Sequence, residues 1–185
     1  MKRLISLLLA AIGIGALAQP QKSSPTAVMG ELRSRALSVK PADIGLSPAA
    51  YAERPWGVLM ETGLEGGAAY SLVVLADGST SLYFSSGGGV IGAGQHDSVR
   101  SAGKAMLQVA ERFQAQLPVA TSTPLPSQGK VNFYLLCNKG TLAYSAPEQM
   151  LGEGKDRLSE LFHAGHRVIT EIRETEQARS KVQRQ

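Results

Sequence analysis

Residues 69–85 constrain the fold of this chain more than any other stretch. Ala69 to Ala76 contains the unbroken apolar run Leu72-Val73-Val74-Leu75, the pattern of a strand covered on both faces. Asp77-Gly78 follows, a dipeptide suited to a two-residue type I′ hairpin turn because both central residues take positive φ. Ser79 to Ser85 then alternates, with Leu82 and Phe84 on one side and Ser81, Tyr83 and Ser85 on the other. One face of that third strand is therefore expected to be drier than the other.

The flanking segments supply partners for this hairpin. Trp56 to Thr62 (W-G-V-L-M-E-T) reads as a preceding strand, turning at Gly63–Gly67. Lys130 to Cys137 and Thr141 to Ser145 read as a second hairpin around Asn138-Lys139-Gly140. Between the hairpins, Asp97 to Leu117 places Val99, Ala102, Met106, Val109, Ala110, Phe113 and Leu117 on one helical stripe, with Asp97 or Ser98 as N-cap. A last helix from about Asp156 to Glu176 aligns Leu158, Leu161, Phe162, Gly165, Val168, Ile169 and Ile172. A short helix from Ser24-Pro25 to about Leu37 carries Val28, Met29, Leu32 and Ala36 at helical spacing. Residues 40–55, rich in proline, and the loop Pro118–Gly129 connect these elements.

The order is helix, three strands, helix, two strands, helix. Hairpin connections predict an α+β domain with a mainly antiparallel sheet of about five strands and two long helices packed on it. This topology is similar to the small profilin-like and roadblock-like domains, although roadblock domains group their strands two and three. The resemblance implies a fold and conveys no function.

The first eighteen residues read as an address. Met1-Lys2-Arg3 is positive, Leu4 to Ala18 is free of charge, and Ala16-Leu17-Ala18 has the small-x-small form of a signal-peptidase site. We expect a leader at 1–18, a polar spacer at 19–25, one domain over 26–176 and a frayed basic tail at 177–185. Cleavage after Ala18 and export to the periplasm or beyond follow, with membrane attachment, if any, only through an uncleaved leader. The alternative is a cytoplasmic protein started at Met29. Loss of Lys2 and Arg3 lowers the net charge from its full-chain value of +4, so the pI near 9.3 belongs partly to the leader. Arg179, Lys181 and Arg184 follow Glu171, Glu174 and Glu176, which dilutes the positive face nucleic-acid binding requires. No nucleic-acid partner is expected, and the single Cys137 excludes an internal disulfide framework.

Four constellations could carry chemistry. Gly87-Gly88-Gly89-Val90-Ile91-Gly92 satisfies G-x-G-x-x-G ahead of a helix, where glycine amides can approach an anion. Its strand belongs to a hairpin, and no strand-ending acid follows about 20 residues on, so a dinucleotide is not expected. Ser101-Ala102-Gly103-Lys104 matches S-x-x-K but lacks the companion motifs of penicillin-binding enzymes. His163 and His166 lie about 60° apart around the last helix, the first on its wet side and the second on the border of its apolar stripe. Together with His96 they are the candidate zinc ligands. Cys137 ends an apolar strand and is expected to be buried and inert.

These features predict a non-enzymatic binding or protein-interaction module without a cofactor. Its expected site for an unknown protein or small ligand is the glycine stretch, Gly87, Gly88, Gly89, Gly92 and Gly94, with Tyr83 exposed beside it. The alternative is a small metal-dependent or Cys/His hydrolase using His96, His163 and His166, with zinc as cofactor.

Overall fold

The strand with the continuous apolar run lies inside the sheet, as its pattern requires. In the computed structural model, which describes residues 24–182, six strands form one sheet: β1 (Gly57–Gly63), β2 (Ala69–Leu75), β3 (Thr80–Phe84), β4 (Gly89–Val90), β5 (Lys130–Cys137) and β6 (Gly140–Pro147). The order is β4-β3-β2-β1-β5-β6, and all neighbours are antiparallel. The chain is therefore α+β, with six strands rather than about five. The additional strand, β4, is two residues of the glycine stretch, too short to show a period of two. The expected leader lies outside the described residues.

Register sorts the side chains into two faces. On one, cross-strand rows such as Tyr144–Phe133–Met60–Leu72–Leu82–Val90 meet α2 (Asp97–Phe113), α3 (Glu148–Gly152) and α4 (Ser159–Val182). Val99, Met106, Leu158, Leu161 and Val168 complete that core, so the two long amphipathic helices use their stripes as expected. On the other face, Leu59, Val73, Leu75, Tyr134 and Leu136 pack beneath α1 (Pro25–Ser38), which inserts Met29. Ser24 caps α1, its Oγ accepting the Ala27 N–H at 3.2 Å.

Three differences from the sequence reading have physical causes. Tyr83 was expected on the wet side of β3 and Phe84 on the dry side, yet Tyr83 is 6% exposed and Phe84 37%. The reason is α1, which covers the Tyr83 face, while Phe84 stands at the rim of the helical layer. Helix α2 ends at Phe113 and tightens into a 3-10 turn, Gln114–Gln116, before the buried Leu117. Helix α4 begins at Ser159 and continues to Val182, taking in residues expected to form a frayed tail.

Candidate functional site

The glycine stretch is built into the sheet. Gly87 donates its N–H to Phe84 O at 2.9 Å, Phe84 donates to Gly88 O at 3.2 Å, and Gly92 donates to the Ser81 hydroxyl at 3.4 Å. A side chain at Gly89 would put its Cβ 2.3 Å from Leu82 O, and one at Gly94 would put it 1.8 Å from Gly78 O. Close backbone approach therefore explains glycine at both positions. The stretch forms β4 and seats the chain against the Asp77-Gly78 turn. Tyr83, expected to be exposed beside it, is buried under α1. Burial, and then the charge of Glu61, push its phenol up to about 12.

His163 and His166 flank the Phe162 ring on α4, while His96 lies at the start of α2 and Cys137 at the end of β5. His96 occupies the N-cap of α2 without a side-chain capping bond, so Asp97 becomes the first helical residue. On α4, His163 is exposed and His166 half-buried, as their angular positions predict. The His166 ring packs on Phe162 with centroids 4.2 Å apart. Burial, reinforced by nearby His163, lowers its pKa below the ordinary imidazole value. Among the described residues, no group of three or more His, Cys, Asp or Glu side chains is placed to hold a metal ion. Cys137 is buried with its Sγ 3.7 Å from Gln114 Oε1, and burial pushes its thiol up to about 11 against the pull of Lys139.

A buried ion pair went unrecognised in the sequence. Glu61, 0% exposed in β1, receives Arg33 Nε and Nη2 from α1 at 2.7 and 2.8 Å, and the Ser71 hydroxyl at 2.6 Å. Arg33 Nη2 also donates to Thr123 O at 2.7 Å, while the Tyr134 hydroxyl donates to Pro124 O at 2.6 Å. Burial opposes the Arg33 charge, and the hydrogen bond and charge of Glu61 outweigh it, so its pKa rises. These bonds tie α1 and the 118–129 loop to the sheet. The available signal was a carboxylate within the apolar strand G-V-L-M-E-T-G, since a buried charge requires a partner.

A cavity of a size for a small ligand lies where α2 crosses the end of the β2–β3 hairpin. Its volume is 340 Å³, within the range of small-molecule sites. Val74, Leu75 and Thr80 come from the strands, and Pro55 and Tyr51 close it from the irregular connection. Gly103 and Leu107 face it from α2. A Cβ at Gly103 would stand 3.0 Å from Val74 Cγ1, so glycine sets the spacing between helix and sheet there. Arg54, stacked on Tyr51 at 4.6 Å, borders the cavity as well.

Two further cations, Arg100 and Lys104, line it from successive turns of α2. Like charges at this spacing repel. Arg100 bonds Gly94 O at 3.0 Å and pairs with Asp97, whereas Lys104 meets no carboxylate at ion-pair distance among the described residues. Gly94 O holds Arg100, so the glycine stretch helps to shape the cavity edge. Of the S-x-x-K motif, Gly103 and Lys104 line the cavity and Ser101 does not. The sequence offered a faint sign, a glycine inside an otherwise secure helix.

Comparison with protein-family models, with curated proteins and with solved structures finds no match. Among the described residues no helix is long and apolar enough to cross a membrane.

Proposed function

We propose that this chain is an exported, non-enzymatic binding module whose working site is the cavity between α2 and the β2–β3 hairpin. The observation that carries the reading is a 340 Å³ cavity with an apolar floor and charged rim, formed by three separate parts of the chain. Val74 and Leu75 belong to β2, inside the sheet, and Leu107 to the helix packed on it, so the site is largely pre-formed. The environments of Cys137 and His166 support a packing role for both: the thiol is held protonated, and the imidazole stacks on Phe162. Export rests on the charge and hydropathy pattern of Met1 to Ala18.

The test is a fragment screen on the full chain, read through backbone-amide NMR shifts. The expected shifts cluster on residues 51–55, 74–80 and 100–111, and Leu107→Trp, which fills the cavity from its rim, suppresses them. Absence of responses, or responses centred on Gly87–Gly92, would overturn this site.

A further inference from the structure

Resting on the cavity reading above, we propose that the bound ligand is a small amphiphilic anion. Its carboxylate or phosphate sits between Arg100 and Lys104, and its apolar body lies along Leu107 and Val74. Arg100 and Lys104 stand four residues apart on one helix face, where like charges destabilise a helix. Both line the same cavity, and an anion between them converts repulsion into two attractions.

The nearby carboxylate does not already fill that role. Asp77 Oδ1 accepts the Ser79 N–H at 2.9 Å and Asp77 Oδ2 the Ser79 hydroxyl at 2.8 Å, bonds that lock the hairpin turn. Asp97 pairs with Arg100 but does not line the cavity. Lys104 retains its donors.

The remaining groups give the cavity a polarity. Glu111 lines it two helical turns beyond Lys104, about 10 Å along the axis, and disfavours a second anion at that end, while the third cation, Arg54, is engaged by Ala50 O and the Tyr51 ring. Between the two ends, Leu107 faces Val74 and Leu75 across a surface suited to methylene groups. One anionic head and an apolar body match this sequence of surfaces. A neutral amphiphile leaves the Arg100–Lys104 repulsion in place, and a cationic one adds to it.

The experiment titrates the full chain with octanoate, octyl phosphate and 1-octanol, following the amides of Ala76, Gly103 and Leu107 by NMR. Both anions are expected to shift these amides and to bind at least about fivefold more tightly than 1-octanol. Preference for octanoate or for octyl phosphate identifies the head group. Lys104→Gln, a change at an exposed position, is expected to weaken the anions about fivefold and leave 1-octanol unchanged. Added salt should weaken the anions alone.

Equal binding of 1-octanol and octanoate at these amides would overturn the anion assignment while leaving the cavity as a binding site. Failure of both anions to shift them would also overturn it, and the fragment screen then judges the cavity separately. Retained anion affinity in a folded Lys104→Gln variant would show that the head group lies elsewhere.

Discussion

The two faces of the sheet are held by different physics. Beneath α2 and α4 the contacts are apolar and continuous, from Val58, Met60 and Leu72 through Phe133 and Leu135 to Met106 and Leu161. Beneath α1 a smaller apolar cluster surrounds the Arg33–Glu61 pair, which crosses from helix to central strand. A long helix with a wide apolar stripe can be held by burial, whose energy grows with area. A short helix inserting one deeply buried methionine has less area to use. The two hydrogen bonds from Arg33 to Glu61 also fix the position of α1, because sliding it along the sheet would break both. The dry face carries the larger share of burial, and the ion pair determines where α1 can sit.

The strongest test of this contrast is Glu61→Ala. It leaves the Arg33 side chain, 12% exposed, without its carboxylate, and should cost about 3–5 kcal/mol in urea unfolding. The double variant Arg33→Met/Glu61→Leu should recover most of that loss, since well-packed apolar replacements of a buried pair are often neutral. A loss below about 1 kcal/mol in Glu61→Ala would show that the pair does not hold α1. Trp56, the single tryptophan, donates its indole N–H to Val39 O at 3.0 Å and provides a fluorescence reporter for this region.

Met106→Ala probes the opposite face. Met106 is completely buried, and its truncation should cost about 2–5 kcal/mol through lost transfer energy and a cavity. A native-like Trp56 emission in the folded variant would show that the damage stays on the α2–α4 side. A shifted emission would mean that the two faces are coupled through the sheet.

Ser24→Ala sharpens the account of α1. Removing the acceptor for the Ala27 N–H should cost about 1 kcal/mol, the usual worth of an N-cap. Faster hydrogen exchange should be confined to the first turn of α1. Exchange spreading to Arg33 would make the cap, rather than the ion pair, the anchor.

The smallest effect concerns His166 and pH. Its folded pKa lies below that of the unfolded chain, so unfolding takes up a proton in the titration range. The contribution is present above the ordinary imidazole value of about 6.5 and is lost as pH falls through the folded value. Thermal unfolding followed from pH 7.5 to 5.5 should therefore drop less in His166→Gln than in the natural protein. An identical drop in both proteins would assign the pH dependence to another group.

Local patterns made most of the fold legible. The Leu72–Leu75 run foretold a strand covered twice, and the spacing of Val99, Met106 and Leu161 foretold the helix faces that cover one side. Ser24 was recognisable as a cap because its effect reaches three residues along the chain. The departures occur where a distant segment decides. Tyr83 became buried because α1, far upstream, lies over it, and β4 emerged because Gly89 can approach Leu82 O. Glu61 acquires its role only where the fold brings Arg33 and Ser71 to it.

The sequence by itself determined the element types, the antiparallel hairpins and the faces of the long helices. These follow from periodicity and turn chemistry within short stretches. Only the tertiary structure decided which cations share a cavity, which carboxylate receives a buried arginine, and which neighbours the histidines and cysteine pack against. Those outcomes depend on distances between segments remote in sequence, and a charged or polar side chain has no pattern of its own that names its partner.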